Sequence, residues 1–172
     1  KLKSVPLIGM VCRATKQKGF EFIMPIIEEL LQHKVQFVIM GTGDETIVTR
    51  LHDISRNHPD KFHFLEAFKP ELSHLIEAGS DFFLMPSEFE PCGLNQMYSL
   101  AYGTLTIVSH VGGLADTVID ISLPNANGFS FEAPSALNLL STIRNALLSY
   151  QESPATIKQM AKLGMQTRFT WD

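Results

Sequence analysis

Six short apolar runs alternate along this chain with longer segments in which apolar residues recur every three or four positions. Residues 7–11, 35–40, 62–65, 81–85, 105–108 and 128–131 read as strands, because such runs are short, rich in branched and aromatic side chains and bounded by turn formers. Helical spacing marks residues 21–32 through Ile23, Ile26, Ile27, Leu30 and Leu31. Pro25 inside that pattern predicts either a helix that starts near Met24, with proline in its first turn, or a kink there. Residues 45–57 form a more polar helix, residues 71–78 a short one, and residues 93–102 carry Leu94, Met97, Leu100 and Ala101 on one face. Gly112-Gly113 opens a short helix through Val118, Ser135 caps one bearing Leu137, Leu140, Ile143, Leu147 and Leu148, and Ser153-Pro154 opens a last short one.

Continuously apolar strands that alternate with amphipathic helices require a parallel sheet covered on both faces, since every parallel crossover needs a helix. The predicted fold is therefore α/β, a doubly wound parallel sheet. Ligands of such sheets bind outside the carboxyl ends of the strands, which directs attention to the loops after Val11, Met40, Leu65, Met85 and Val108.

At 172 residues and 45% hydrophobic content, the chain suits one domain over residues 1–172. The 14 Lys and Arg against 18 Asp and Glu leave a net charge of -4, which argues against nucleic acid and anionic membrane partners. An anionic ligand must then be held locally. Apolar stretches such as Phe82-Phe83-Leu84-Met85 are too short to span a membrane. With only Cys12 and Cys92, a reducing compartment is expected, the cytoplasm or an organelle stroma. A start at Lys1 rather than Met, and a stop on Phe169-Thr170-Trp171-Asp172, read as the ends of a domain cut from a longer protein.

Gly41-Thr42-Gly43 is not a dinucleotide fingerprint, because Thr46 occupies the third glycine position; a tight turn fits it better. Arg13 and Lys18 follow the first strand, five residues apart and just before a predicted helix. A guanidinium fork and an ammonium suit a diphosphate, and the helix N-terminus would add N–H donors. A solvated basic loop that includes Lys16 fits the same spacing equally well. Ser87-Glu88-Phe89-Glu90-Pro91-Cys92-Gly93-Leu94 runs from a buried strand into a helix start, so the N–H groups of Gly93, Leu94 and Asn95 are expected to face a ligand. Glu90 is placed to touch a sugar hydroxyl or an electron-deficient carbon, although an acid complementing a helix dipole is the commoner role. Cys92 reads as a packing residue, with no adjacent histidine to activate it. Gly112-Gly113 accommodates either a phosphate or a tight turn. The six histidines show no ligand spacing and no D-x-D occurs, so neither metal nor cofactor is predicted.

At these loops the sequence closely resembles the bacterial glycogen synthases and plant starch synthases, retaining glucosyltransferases with two facing Rossmann-like domains in the GT-B arrangement. The likeness runs through Arg13-Ala14-Thr15-Lys16-Gln17-Lys18-Gly19-Phe20, Gly41-Thr42-Gly43-Asp44, Ala78-Gly79-Ser80-Asp81, Pro86-Ser87-Glu88-Phe89-Glu90-Pro91-Cys92-Gly93-Leu94-Asn95-Gln96 and Gly112-Gly113-Leu114-Ala115-Asp116-Thr117-Val118. It extends to the Phe169-Thr170-Trp171 ending.

The resemblance implies a C-terminal nucleotide-sugar domain that binds ADP-glucose or UDP-glucose, with an α-1,4-glucan acceptor held by an N-terminal domain. By the same resemblance, Arg13 and Lys18 would neutralise the diphosphate and Glu90 would face the glucosyl ring. Backbone amides of Cys92, Gly93, Leu94 and Asn95 would hold sugar hydroxyls and the distal phosphate; Gly41, Gly43, Gly112 and Gly113 complete the candidate nucleotide-binding set. Phe68 stands where the family commonly stacks a tyrosine on adenine, and Asn95 where it usually has threonine. Tyr98 takes the place of a second glutamate that in many such transferases grips a ribose, in agreement with the glycogen synthase subgroup. The implied compartment is bacterial cytoplasm or plastid stroma. A nucleotide-sugar epimerase and a non-catalytic sugar-nucleotide sensor of the same fold stay open as alternatives.

Overall fold

The computed structural model describes residues 4–169. Strands β1 (Leu7–Val11), β2 (Gln36–Met40), β3 (Phe62–Leu65), β4 (Phe82–Met85), β5 (Leu105–Ser109) and β6 (Gly128–Phe131) form one sheet in the order β3-β2-β1-β4-β5-β6. Every pairing is parallel, with registers such as Val11 opposite Met40 and Met85 opposite Val108. This is the predicted doubly wound sheet, Rossmann-like in strand order. Asp81, expected inside the fourth strand, instead stands just ahead of it, where its carboxylate accepts the Leu7 N–H at 2.8 Å.

The predicted helix over residues 21–32 is broken into two single turns, α1 (Phe20–Ile23) and α2 (Ile27–Leu30). Pro25 has no N–H, and its ring crowds the carbonyl one turn back, so regular bonding lapses until the Leu30 N–H reaches the Ile26 carbonyl. Burial of Phe20, Ile23, Ile27 and Leu30 anchors both turns without a continuous ladder. Helix α3 (Glu45–Asn57) begins at Asp44, whose carboxylate accepts the N–H groups of Thr46 and Ile47. Four helices follow α4 (Pro70–Gly79): α5 (Asn95–Tyr102), α6 (Gly112–Thr117), α7 (Ala136–Glu152) and α8 (Pro154–Gln166). Ser135 caps α7 as predicted, but the buried stripe of α7 is Leu139, Leu140, Ile143, Ala146 and Leu147. Leu137 and Leu148 are exposed, 74% and 52%, since 100° per residue turns them off that stripe. Helix α8 is thirteen residues long rather than short.

Strand alternation divides the core. Ile8, Met10, Phe82 and Leu84 face the larger cluster, closed by α1, α2, α3 and α7. Val11, Phe83 and Met85 face a smaller one beneath α4 and α6, built with Ile76, Leu114 and Val118. Both sheet faces are thus covered, which explains why strands such as β4 and β5 are apolar at nearly every position. Among the described residues no helix is long and apolar enough to cross a membrane. Lys1 and the Thr170-Trp171-Asp172 ending lie outside the described residues.

Candidate functional site

Chain order reverses between β1 and β4, so their following loops diverge and leave a crevice at the carboxyl edge of the sheet. The two loops are tied side by side: the Glu88 N–H donates to the Gln17 carbonyl and the Gln17 side-chain amide to the Phe89 carbonyl, both at 2.9 Å. Gly19, at φ 83°, lets the first loop turn back over Pro86, whose carbonyl oxygen would lie 2.0 Å from an added Cβ.

A cavity of about 360 Å³ opens between these loops, lined among others by Arg13, Lys18, Ser87, Glu90, Gly93 and Asn95. Lys18 Nζ sits 2.5 Å from Glu90 Oε2, and Ser87 Oγ donates to that same oxygen at 3.2 Å. The Lys18 and Glu90 side chains are only 18% and 10% exposed. Lys16, by contrast, lies on the surface against Glu21. The 3₁₀ turn at Lys16–Lys18 separates the two lysines because residues two apart in such a turn point in different directions. A solvated basic loop therefore describes Lys16, whereas Lys18 is an internal cation. Arg13 is exposed at the rim. Burial pushes the neighbouring Cys12 thiol up to about 12 despite the opposing charges of Lys18 and Arg13, so it stays neutral.

A second cavity of about 210 Å³ adjoins the first, sharing Val11, Cys12, Arg13 and Asn95 with it and reaching Gly41, Thr42 and Phe68. The Phe68 ring is 79% exposed at its edge. Asn95 donates its side-chain amide to the Val11 carbonyl at 2.9 Å, tying α5 to the end of β1. Thr42, Ser73 and Ser87 line the two cavities without any signal in the sequence: Thr42 and Ser87 are small polar side chains in loops and Ser73 sits within α4, and only the tertiary fold decides what each one faces.

Two helix starts differ from expectation. Helix α5 begins at Asn95, and Gly93 stands before it at φ 74° with Leu94 as the cap residue, so the Gly93 N–H belongs to a left-handed turn rather than to the helix. The helix beyond Gly19 is one turn long, too short for a substantial dipole, so Lys18 and Arg13 supply the positive charge there.

The other four glycines of the candidate set stand at close backbone approaches. An added Cβ would lie 1.8 Å from the Cys12 carbonyl oxygen at Gly41, 2.3 Å from that of Ala14 at Gly43, 2.1 Å from that of Glu90 at Gly112 and 2.1 Å from that of Cys92 at Gly113. Of these four, Gly41 also lines the second cavity. The loops after β2 and β5 thereby buttress the two loops of the crevice. Gly113→Ala is expected to destabilise the protein by roughly 1–3 kcal/mol through overpacking, read as a lower melting temperature. Gly79→Ala, whose new methyl meets nothing within 4 Å, is the matched control and leaves the melting temperature unchanged or higher. Equal melting of the Gly113→Ala and wild-type proteins would remove the buttress argument. Among the described residues no group of three or more His, Cys, Asp or Glu side chains comes together.

A Rossmann-like α/β domain with a cationic crevice at its switch point is the class that fold and site define. The glycosyl transferases group 1 family matches residues 1–163, and the chain belongs to that family. It is 53% identical over 166 residues to a glycogen synthase of Vibrio atlanticus and 52% identical over 170 residues to one of Photobacterium profundum, covering 95% and 98% of this chain. The chain spans about a third of those relatives' length, 34% in each case. It superposes on the catalytic domain of starch synthase IV from Arabidopsis thaliana, solved bound to ADP and acarbose, with a TM-score of 0.91 and 31% identity over 99% of this chain and 36% of that one. A sucrose-phosphate synthase from Thermosynechococcus elongatus shares the fold at TM-score 0.74 and 24% identity, over 94% of this chain and 40% of its own.

Proposed function

We propose that this domain is the donor-binding half of a two-domain glucosyltransferase: it holds ADP-glucose for retaining transfer to the nonreducing end of an α-1,4-glucan. The observation that carries the reading is the largely buried Lys18–Glu90 pair in the switch-point crevice, with Arg13 at its rim. A cation and a carboxylate side by side match the two charges that develop in the reaction. As the bond between the anomeric carbon and the diphosphate oxygen breaks, negative charge grows on the diphosphate beside Lys18 and Arg13. Positive charge grows on the sugar ring beside Glu90. The acceptor hydroxyl oxygen bonds to the same face of the anomeric carbon, and its proton passes to the departing diphosphate.

ADP-glucose is preferred over UDP-glucose in this reading because the starch synthase IV structure was solved with ADP and because the exposed Phe68 ring offers a stacking face for adenine. The glucan acceptor is assigned to the remaining two-thirds of the relatives' length, and the bacterial relatives favour a cytoplasmic enzyme. Nucleic acid and membrane have no place in it, in keeping with the net charge of -4.

The 172-residue chain is expected to bind ADP weakly and to transfer no glucose, because half a cleft holds the donor without enclosing the reacting carbon. Calorimetry with ADP and a radiolabelled glucose-incorporation assay test this, with the full-length enzyme as the positive case. Glucan extension by the chain alone would refute the two-domain reading. An epimerised sugar from the full-length enzyme would point to the epimerase, and ligand binding without turnover there to a sensor.

A further inference from the structure

The cavity wall formed by Gly93 and Leu94 is held from behind by a side chain with no role in the reaction just described. Gln96, in the first turn of α5, is fully buried. Its Nε2 lies 3.1 Å from the Cys92 carbonyl oxygen, 3.2 Å from that of Gly93 and 3.2 Å from Thr117 Oγ1. The Thr117 hydroxyl accepts from Gln96 and donates to the Gly113 carbonyl at 2.6 Å, so α6 belongs to the same clamp. Gln96 Oε1 finds no partner among the described residues. The orientation of the amide is therefore set by its donor end alone, and turning it over would press its oxygen against two carbonyls.

A trans peptide is planar, so its C=O and N–H point in opposite directions. Drawing the Cys92 carbonyl inward to Gln96 turns the Gly93 N–H outward, and drawing in the Gly93 carbonyl does the same for the Leu94 N–H. Both residues line the cavity that holds Lys18 and Glu90. The left-handed Gly93 lets two successive N–H groups converge, the geometry of a backbone anion nest. Turn and amide are fitted to each other, since an added Cβ at Gly93 would lie 2.5 Å from Gln96 Oε1.

We infer that Gln96 is a positioning residue which, through the Cys92 and Gly93 carbonyls, aims the Gly93 and Leu94 N–H groups at the distal phosphate of a nucleoside diphosphate. This rests on the reading of the crevice as the donor site. Gln96→Met removes the donor, and Gln96→Glu puts an acceptor where the two carbonyls need a donor.

Calorimetry compares ADP with adenosine, which lacks the phosphates, on the wild-type protein and both variants. The expected result is ADP binding weakened about tenfold or more in each variant, as for loss of a well-aimed contact to a charged group, with adenosine binding unchanged. In the wild-type protein the Gly93 and Leu94 amide resonances shift on addition of ADP and stay in place with adenosine. Equal weakening of both ligands would reduce Gln96 to a structural residue, and unchanged ADP affinity in both variants, or silent wild-type amides, would overturn the inference. Failure of the wild-type protein to bind ADP would instead overturn the donor-site reading on which it stands.

Discussion

Lys18→Met in the full-length enzyme is expected to lower glucosyl transfer by about two to three orders of magnitude, the scale of losing a preorganised charge-stabilising donor. The Lys18 side chain lies in the crevice, 2.5 Å from Glu90, and is only 18% exposed. Its removal has two costs of the same sign. In the proposed reaction the departing diphosphate loses a largely buried cation, and such a contact counts for more there than at an exposed surface. Glu90 is left with only the Ser87 hydroxyl on its Oε2, so an unneutralised carboxylate then repels the donor. Lys18→Arg is expected not to restore turnover, because a planar fork does not replace the compact ammonium that sits beside Glu90. Steady-state kinetics with ADP-glucose measures both variants, and a loss of less than about tenfold for Lys18→Met would remove Lys18 from the machinery.

Glu90→Gln is expected to lower turnover by about two orders of magnitude or more while leaving ADP affinity equal or tighter. The opposed signs follow from charge. Glu90 favours a positive sugar ring that exists only in the transition state, but it sits beside a negatively charged diphosphate in every bound state. The double variant Lys18→Met with Glu90→Gln loses less than the sum of the two single losses, because much of each single loss is the exposure of the partner's charge. Strictly additive effects on ΔG‡ would show that the 2.5 Å pair does not act as a unit. Weaker ADP binding in Glu90→Gln would show that the carboxylate shapes the site rather than serving the reaction.

The crevice was legible as a set of loops but not as a set of contacts. Arg13 and Lys18 were equivalent candidates by spacing, and Lys16 could not be set aside; a three-residue 3₁₀ turn sends Lys16 to Glu21 on the surface and Lys18 inward to Glu90, 72 residues away in sequence. The apolar spacing of α5 runs back to Leu94 and places Gly93 at the helix start, yet its left-handed backbone keeps it in the preceding turn. Gln96 belongs to the block that carries the resemblance, but nothing in the sequence gives it a role, because a glutamine in a helix has no distinctive neighbours there. Its partners are two carbonyls and a hydroxyl from another element.

Hydrophobic periodicity determined the six strands and their parallel association, because burial on both faces leaves a continuous apolar record that no local interaction erases. Motif resemblance determined the family, because the loops that carry it keep their order along the chain. Strand order determined the site only once the sheet was assembled: β1 and β4 become neighbours through pairing across 70 intervening residues, and no local pattern encodes that choice. The close approach of Gly41, Gly112 and Gly113 to the crevice loops and the Lys18–Glu90 pair depend on which segments meet in space. Packing and hydrogen bonding between distant segments decide these features, and only the tertiary structure brings those segments together.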